Sequence, residues 1–123
     1  MTFRPILEDV LRNVDGAVSV SLMGIDGIPI EEVRCSGDAG DAVSVDLISA
    51  EYAALQKRIA KTNEGLDMQS FQELQVITDG LSVVMSMVSS DYFLLLLSTA
   101  RHGLGRARYE LHKAQLRVQG EIS

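Results

Sequence analysis

Residues 92–97 read YFLLLL, six large side chains with no alternation of apolar and polar positions. Successive side chains of a strand point to opposite faces, so a strand that is apolar on both faces must be covered on both. This run therefore predicts the middle strand of a sheet with helices on either side. At six residues it is far too short to span a bilayer, which takes roughly 20 apolar residues.

The flanking segments supply the rest of that sheet. AVSVSLM (17–23) alternates, with Val18, Val20 and Leu22 on one face and Ala17, Ser19, Ser21 and Met23 on the other. Asp26-Gly27 predicts a type I′ hairpin turn, since both central residues of that turn need positive φ. IPIEEVR is the return strand. Pro29 cannot donate a ladder hydrogen bond, and Glu31, Glu32 and Arg34 discourage another chain from pairing, so this strand belongs at a closed edge. SFQELQVIT, LSVVMSMVSS and YFLLLLST form a meander, turning at Asp79-Gly80, again as type I′, and at Ser90-Asp91. Nothing in SFQELQVIT forbids pairing, so it is expected to be the open edge.

Helices are marked by a different period. Phe3, Ile6, Leu7, Val10, Leu11 and Val14 recur at steps of three and four, with Pro5 in the first turn and Gly16 as the stop. CSGDAGDA (35–42) is a loop in which Asp41, or Ser44 just beyond it, can cap the next helix. There Val45, Ile48, Tyr52, Leu55 and Ile59 are expected to face the sheet. A weaker stripe of Leu47, Ala50 and Ala54 lies on another face, where small residues either admit a second helix closely or simply favour helix formation in solvent. TNEGLD ends the helix near Gly65. The last helix starts near HGLGRA, burying Leu104, Ala107, Leu111, Ala114 and Val118 and turning Arg106, Lys113 and Arg117 outward.

The 123 residues suit one domain, 1–123, and 46% hydrophobic with 23% charged residues is a folding composition. A net charge of -6 argues against nucleic-acid binding. The charge is uneven: residues 1–100 carry six basic and fifteen acidic side chains, whereas from Arg101 onward there are five basic and two acidic. That asymmetry suits a solvated outer helix face or charge-steered contact with proteins. A lone cysteine, Cys35, and an N-terminus whose apolar pattern is broken by Glu8 and Asp9 predict a cytoplasmic protein without a signal peptide or membrane insertion.

Reactive constellations are not found. No phosphate-cradling glycine motif follows a strand, and GLGRAR reads as an ordinary helix start. His102 and His112 lie ten residues apart and point in different directions on one helix, against the spacing of metal ligands. Cys35 has no local base, no serine sits on a strand-to-helix elbow, and Glu8-Asp9 and Glu31-Glu32 read as surface charge. Most of Met23, Met68, Met85 and Met87 read as core filling. The expectation is a protein without catalytic residues, metal or cofactor.

LMGIDGIPIEEV in the first hairpin, AEYAALQKRI in the middle helix, the TDG turn and HGLGRARYELHKA at the last helix, in the order α-β-β-α-β-β-β-α, resemble the roadblock/dynein light chain family over essentially the whole chain. The resemblance implies a profilin-like α/β sandwich, an α+β fold with a five-stranded antiparallel sheet. It also implies homodimers or heterodimers with a paralogue, joined through the middle helix and the following strand. Leu47, Ala50, Ala54, Leu74 and Val76 would then lie at the interface, and Ala54→Glu would separate the protomers. In bacteria such dimers partner Ras-like small GTPases of the gliding-motility and polarity type, as activators or adaptors. Lys57, Arg58 and Lys61 would face that partner, and binding would favour one conformation of its switch loops. The family's best-known gliding regulators carry an extended C-terminal tail, which this sequence lacks, so tail-dependent activity is not expected. A small-ligand sensor or a structural scaffold subunit of the same fold is the alternative.

Overall fold

The computed structural model describes residues 3–36, 44–99 and 104–122. In chain order these form α1 (Arg4–Asn13), β1 (Ala17–Gly24), β2 (Pro29–Arg34), α2 (Val45–Gly65), β3 (Glu73–Ile77), β4 (Ser82–Met87), β5 (Tyr92–Ser98) and α3 (Leu104–Ile122). The sheet is antiparallel, in the order β2-β1-β5-β4-β3. The domain is thus α+β, with five strands and helices on both faces. β5 occupies the middle position expected of it, and Phe93 to Leu97 are buried throughout.

Two apolar cores lie on opposite sides of β5. Leu94 and Leu96 join Val20 and Leu22 beneath α1 and α3, while Phe93, Leu95 and Leu97 join Met23, Met85 and Val45 beneath α2. The last helix buries Ala107, Leu111, Ala114 and Val118 as its spacing predicts.

Val18, however, does not share a face with Val20 and Leu22. The pairing of β1 with β5 shifts between Ala17 and Ser19, and the extra residue turns Val18 towards α2, beside Leu97. A bulge inserts one residue into a strand and breaks its alternation, so strict period-two reading fails there.

Both Asp-Gly turns are where the sequence puts them, but neither is type I′. Gly27 alone of the first pair has positive φ, at 91°. The loop spans three residues: Gly27 N–H donates to the Gly24 carbonyl at 2.9 Å, and Gly24 N–H donates to that of Ile28 at 2.9 Å. A glycine in the left-handed region after a tight turn lets a three-residue hairpin keep the strands in register. At Asp79-Gly80 neither residue has positive φ, and the turn is held by Thr78, whose hydroxyl accepts from Leu81 N–H at 2.9 Å. The hydroxyl takes over the role that a special backbone conformation was expected to play.

Ser44 stands at the start of α2 but its side chain makes no capping hydrogen bond. Asp41 lies outside the described residues, as do most of its loop and His102. α2 ends at Gly65, and it is Asp67, with φ of 57°, that takes the left-handed conformation beyond it.

Candidate interaction surface

α2 meets the sheet through small and polar side chains. Its buried residues are Val45, Ser49, Ala53 and Gln56, so of the apolar series expected to face the sheet Val45 alone is fully buried. Ile48, Tyr52, Leu55 and Ile59 are half-buried, and with about 100° of rotation per residue they share one flank of the helix. The apolar series keeps its helical spacing, but the helix is rolled so that its larger members sit at the margin of the core.

Contacts to the other flank fix that roll. Arg34 of β2 bonds Asp46 at 2.7 Å, and the Gln56 amide donates to the Ile25 carbonyl at 3.0 Å. A Cβ at Gly27 would touch the Ala53 methyl at 3.5 Å. One flank of α2 is therefore tied to β2 and the first hairpin. The opposite flank, carrying Ile48 and Tyr52, leans towards β3, where Leu74 and Val76 complete the same cluster.

β3 is the terminal strand of the sheet, and its outer edge has no neighbour among the described residues. The other edge is guarded. Glu31 of β2 pairs with Arg4 at 3.1 Å, Glu32 pairs with Arg34 at 2.5 Å, and Pro29 opens the strand. Among the described strands, only β3 thus combines free ladder groups with a half-buried apolar margin.

Of the residues predicted for an interface, Leu74 and Val76 are the half-buried residues of β3 and pack against the core beneath α2. Leu47, Ala50 and Ala54 do not join them. These three face outward and towards the β2 side, with Leu47 61% exposed. Ile48 and Tyr52 share a core cluster with Leu74 and Val76, and Leu55 and Ile59 continue the same half-buried flank of α2. Their spacing was legible, but burial of small residues beneath the helix was not.

Charge sorts the cations into two groups. Arg4, Arg12, Arg34, Arg106, Arg108, Lys113 and Arg117 each hold a carboxylate of the domain. The basic last helix is thereby neutralised internally: Arg108 forks onto Glu73 at 2.7 and 2.8 Å, and Arg117 reaches Asp9 at 2.8 Å. These hydrogen bonds raise the Arg108 pKa above the usual arginine value and lower that of Asp9. Lys57, Arg58 and Lys61 are exposed and make no ion pair with the described residues.

Below Lys57 and Lys61 runs a groove of about 830 Å³, between the C-terminal half of α2, the segment leading to β3 and the β4–β5 turn. Ile25, Phe71 and Met87 form its apolar lining. No cluster of potential metal ligands occurs among the described residues, and no described helix is long and apolar enough to cross a membrane.

A sheet with one guarded and one bare edge, a helix pair on one face and a single outward-facing helix on the other define a roadblock-type α+β domain. No protein-family model matches the chain, and no curated protein does. Among solved structures, MglC from Myxococcus xanthus is 33% identical, with 99% of this chain and 100% of that one covered and a TM-score of 0.70. The gliding protein MglB from Thermus thermophilus is 16% identical over 96% of this chain and 86% of its own, with a TM-score of 0.82. A roadblock/LC7 domain from Streptomyces avermitilis is 16% identical over 95% and 94%, with a TM-score of 0.79. The chain belongs to the roadblock family.

Proposed function

We propose that the chain is a dimeric, non-enzymatic interaction module that binds and regulates a Ras-like small GTPase in bacterial motility or polarity, as an activator or adaptor in the cytoplasm. The dimer is formed with itself or with a paralogue. The observation that carries this reading is the continuity of the unpaired β3 edge with the half-buried flank of α2. Pairing β3 with a partner's β3 would satisfy its free ladder groups and draw two α2 helices together along Ile48, Tyr52, Leu55 and Ile59. The outer face of each α2, with Leu47, Ala50, Ala54 and Arg58, would remain open to a third body. The likeness to MglC and to a gliding protein supports the motility setting.

Regulation then needs no reactive side chain. A joined helix layer that binds one conformation of the GTPase switch loops more tightly shifts their equilibrium by that difference in affinity. Light scattering of the purified chain, alone and with a small GTPase loaded with GTP or GDP, tests the proposal. The expected result is a dimer whose mass rises with one nucleotide state more than the other. A monomer indifferent to both states overturns it.

A further inference from the structure

The groove under the C-terminal half of α2 is explained neither by the β3 edge nor by the outer face of the helix. We propose that it receives an extended segment of a partner protein in which acidic side chains alternate with apolar ones. The inference rests on the reading of α2 as the partner-facing helix and assigns a chemistry to one end of it.

Charge points to the acidic component. In a chain of net charge -6, the described cations outside α2 are all partnered by carboxylates, yet Lys57 and Lys61, one turn apart on the groove wall, have no such partner among the described residues. Unpaired cations beside a low-dielectric floor attract anionic groups more strongly than the same cations in open solvent. Glu64 stands on the same wall, which disfavours a densely charged guest such as a polyphosphate or nucleic acid.

The floor and rim point to the apolar component and to a polymer. Ile25, Phe71 and Met87 offer apolar surface, and methionine adapts to irregular guests. At about 830 Å³ the concavity falls within the size range of small-molecule pockets and also has room for several side chains of an extended segment, so the choice between them rests on its rim. The rim is apolar and exposed: Met68, on the lining, is 57% exposed, and Leu66, two residues before it in the chain, is 66% exposed. A small molecule held in the groove would leave that rim wet, whereas a chain passing over it would cover it. Gln69, Ser70 and Ser89 line the path with groups able to bond a guest's backbone.

A random dodecapeptide display library panned against the full chain tests this. Enrichment of sequences combining Asp or Glu with Leu, Phe or Met is expected. A synthetic enriched peptide should bind about tenfold or more weakly to Lys57→Glu/Lys61→Glu, and more weakly in high salt. Ala60→Trp fills the groove without altering charge and should give a comparable loss. Absence of enrichment, enrichment of basic sequences, or affinity indifferent to both variants overturns the proposal. So does a self-association that rises with concentration and is lost in the double variant, because it gives the groove to a second copy. A monomer blind to the GTPase that still selects acidic peptides keeps the groove and removes the proposed function; a GTPase-binding dimer that selects none does the reverse.

Discussion

Gly27 shows how a single residue controls the approach of α2. Its φ of 91° lies where a side chain is strained, while the space beside it is only ordinary contact with the Ala53 methyl at 3.5 Å. The cost of Gly27→Ala is thus mainly conformational, about 1 kcal/mol, and should appear as a lower denaturation midpoint with an unchanged m-value. Ser49 is the opposite case. Its hydroxyl is buried beneath α2 without a partner among the described residues, and a buried orphan of this kind is unfavourable. Ser49→Ala should raise stability by about 1 kcal/mol, measured by urea unfolding. Asp9 adds a pH dependence. Its carboxyl is held below the ordinary value chiefly by the Arg117 hydrogen bond, helped by the charges of Arg12, Arg117 and Lys113 and opposed by partial desolvation. A depressed folded-state pKa stabilises above the unfolded value, and that contribution is lost as pH falls through the folded one. Arg117→Gln should therefore move the Asp9 titration upward in a carboxylate-resolved NMR experiment, and Asp9→Asn should shrink the loss of stability on the acid side of the ordinary carboxylate range.

At the scale of elements, patterns that depend on composition were readable and patterns that depend on roll or register were not. YFLLLL fixed the centre of the sheet because apolarity on both faces has one solution, and Pro29 with Glu31 and Glu32 marked the guarded edge. The bulge at Val18 left no sign, since AVSVSLM alternates without interruption. The turn residues were found at Asp26-Gly27 and Asp79-Gly80, but their backbone conformations are decided by the Gly24 and Thr78 hydrogen bonds, which a dipeptide does not encode. α2 is the most instructive. Its large apolar series and its small-residue stripe were both visible, yet Ser49, Ala53 and Gln56 take the buried face because the Asp46–Arg34 and Gln56–Ile25 contacts roll the helix. The roll changes which substitution should break a dimer. Leu55→Glu, on the half-buried flank it shares with Ile48 and Tyr52, is expected to convert dimers to folded monomers by light scattering, with an unaltered far-ultraviolet spectrum. Ala54→Glu, on the outward face, should leave most of the dimer intact; the reverse ranking would return the interface to Leu47, Ala50 and Ala54.

For the whole molecule, the question is how one domain of this size presents separate surfaces without interference. The sheet edge and the α2 flank converge on one side, the free cations and the groove lie at the C-terminal end of α2, and the helix pair α1 and α3 covers the remaining face with its ion pairs closed internally. Dimerisation through the first surface would leave the outer residues Leu47 and Arg58 facing outward from the sheet in both copies. A third body docking there would be sensitive to charge and to apolar area, since Arg58 has no ion-pair partner among the described residues and Leu47 is 61% exposed. The variant Leu47→Asp/Arg58→Glu should keep the dimeric mass, keep affinity for acidic groove peptides and lose association with a GTP- or GDP-loaded small GTPase by about tenfold or more in a pull-down titration. Retained GTPase association would move that partner off the outer face of α2, and a loss of dimeric mass would show that Leu47 and Arg58 belong to the protomer contact instead.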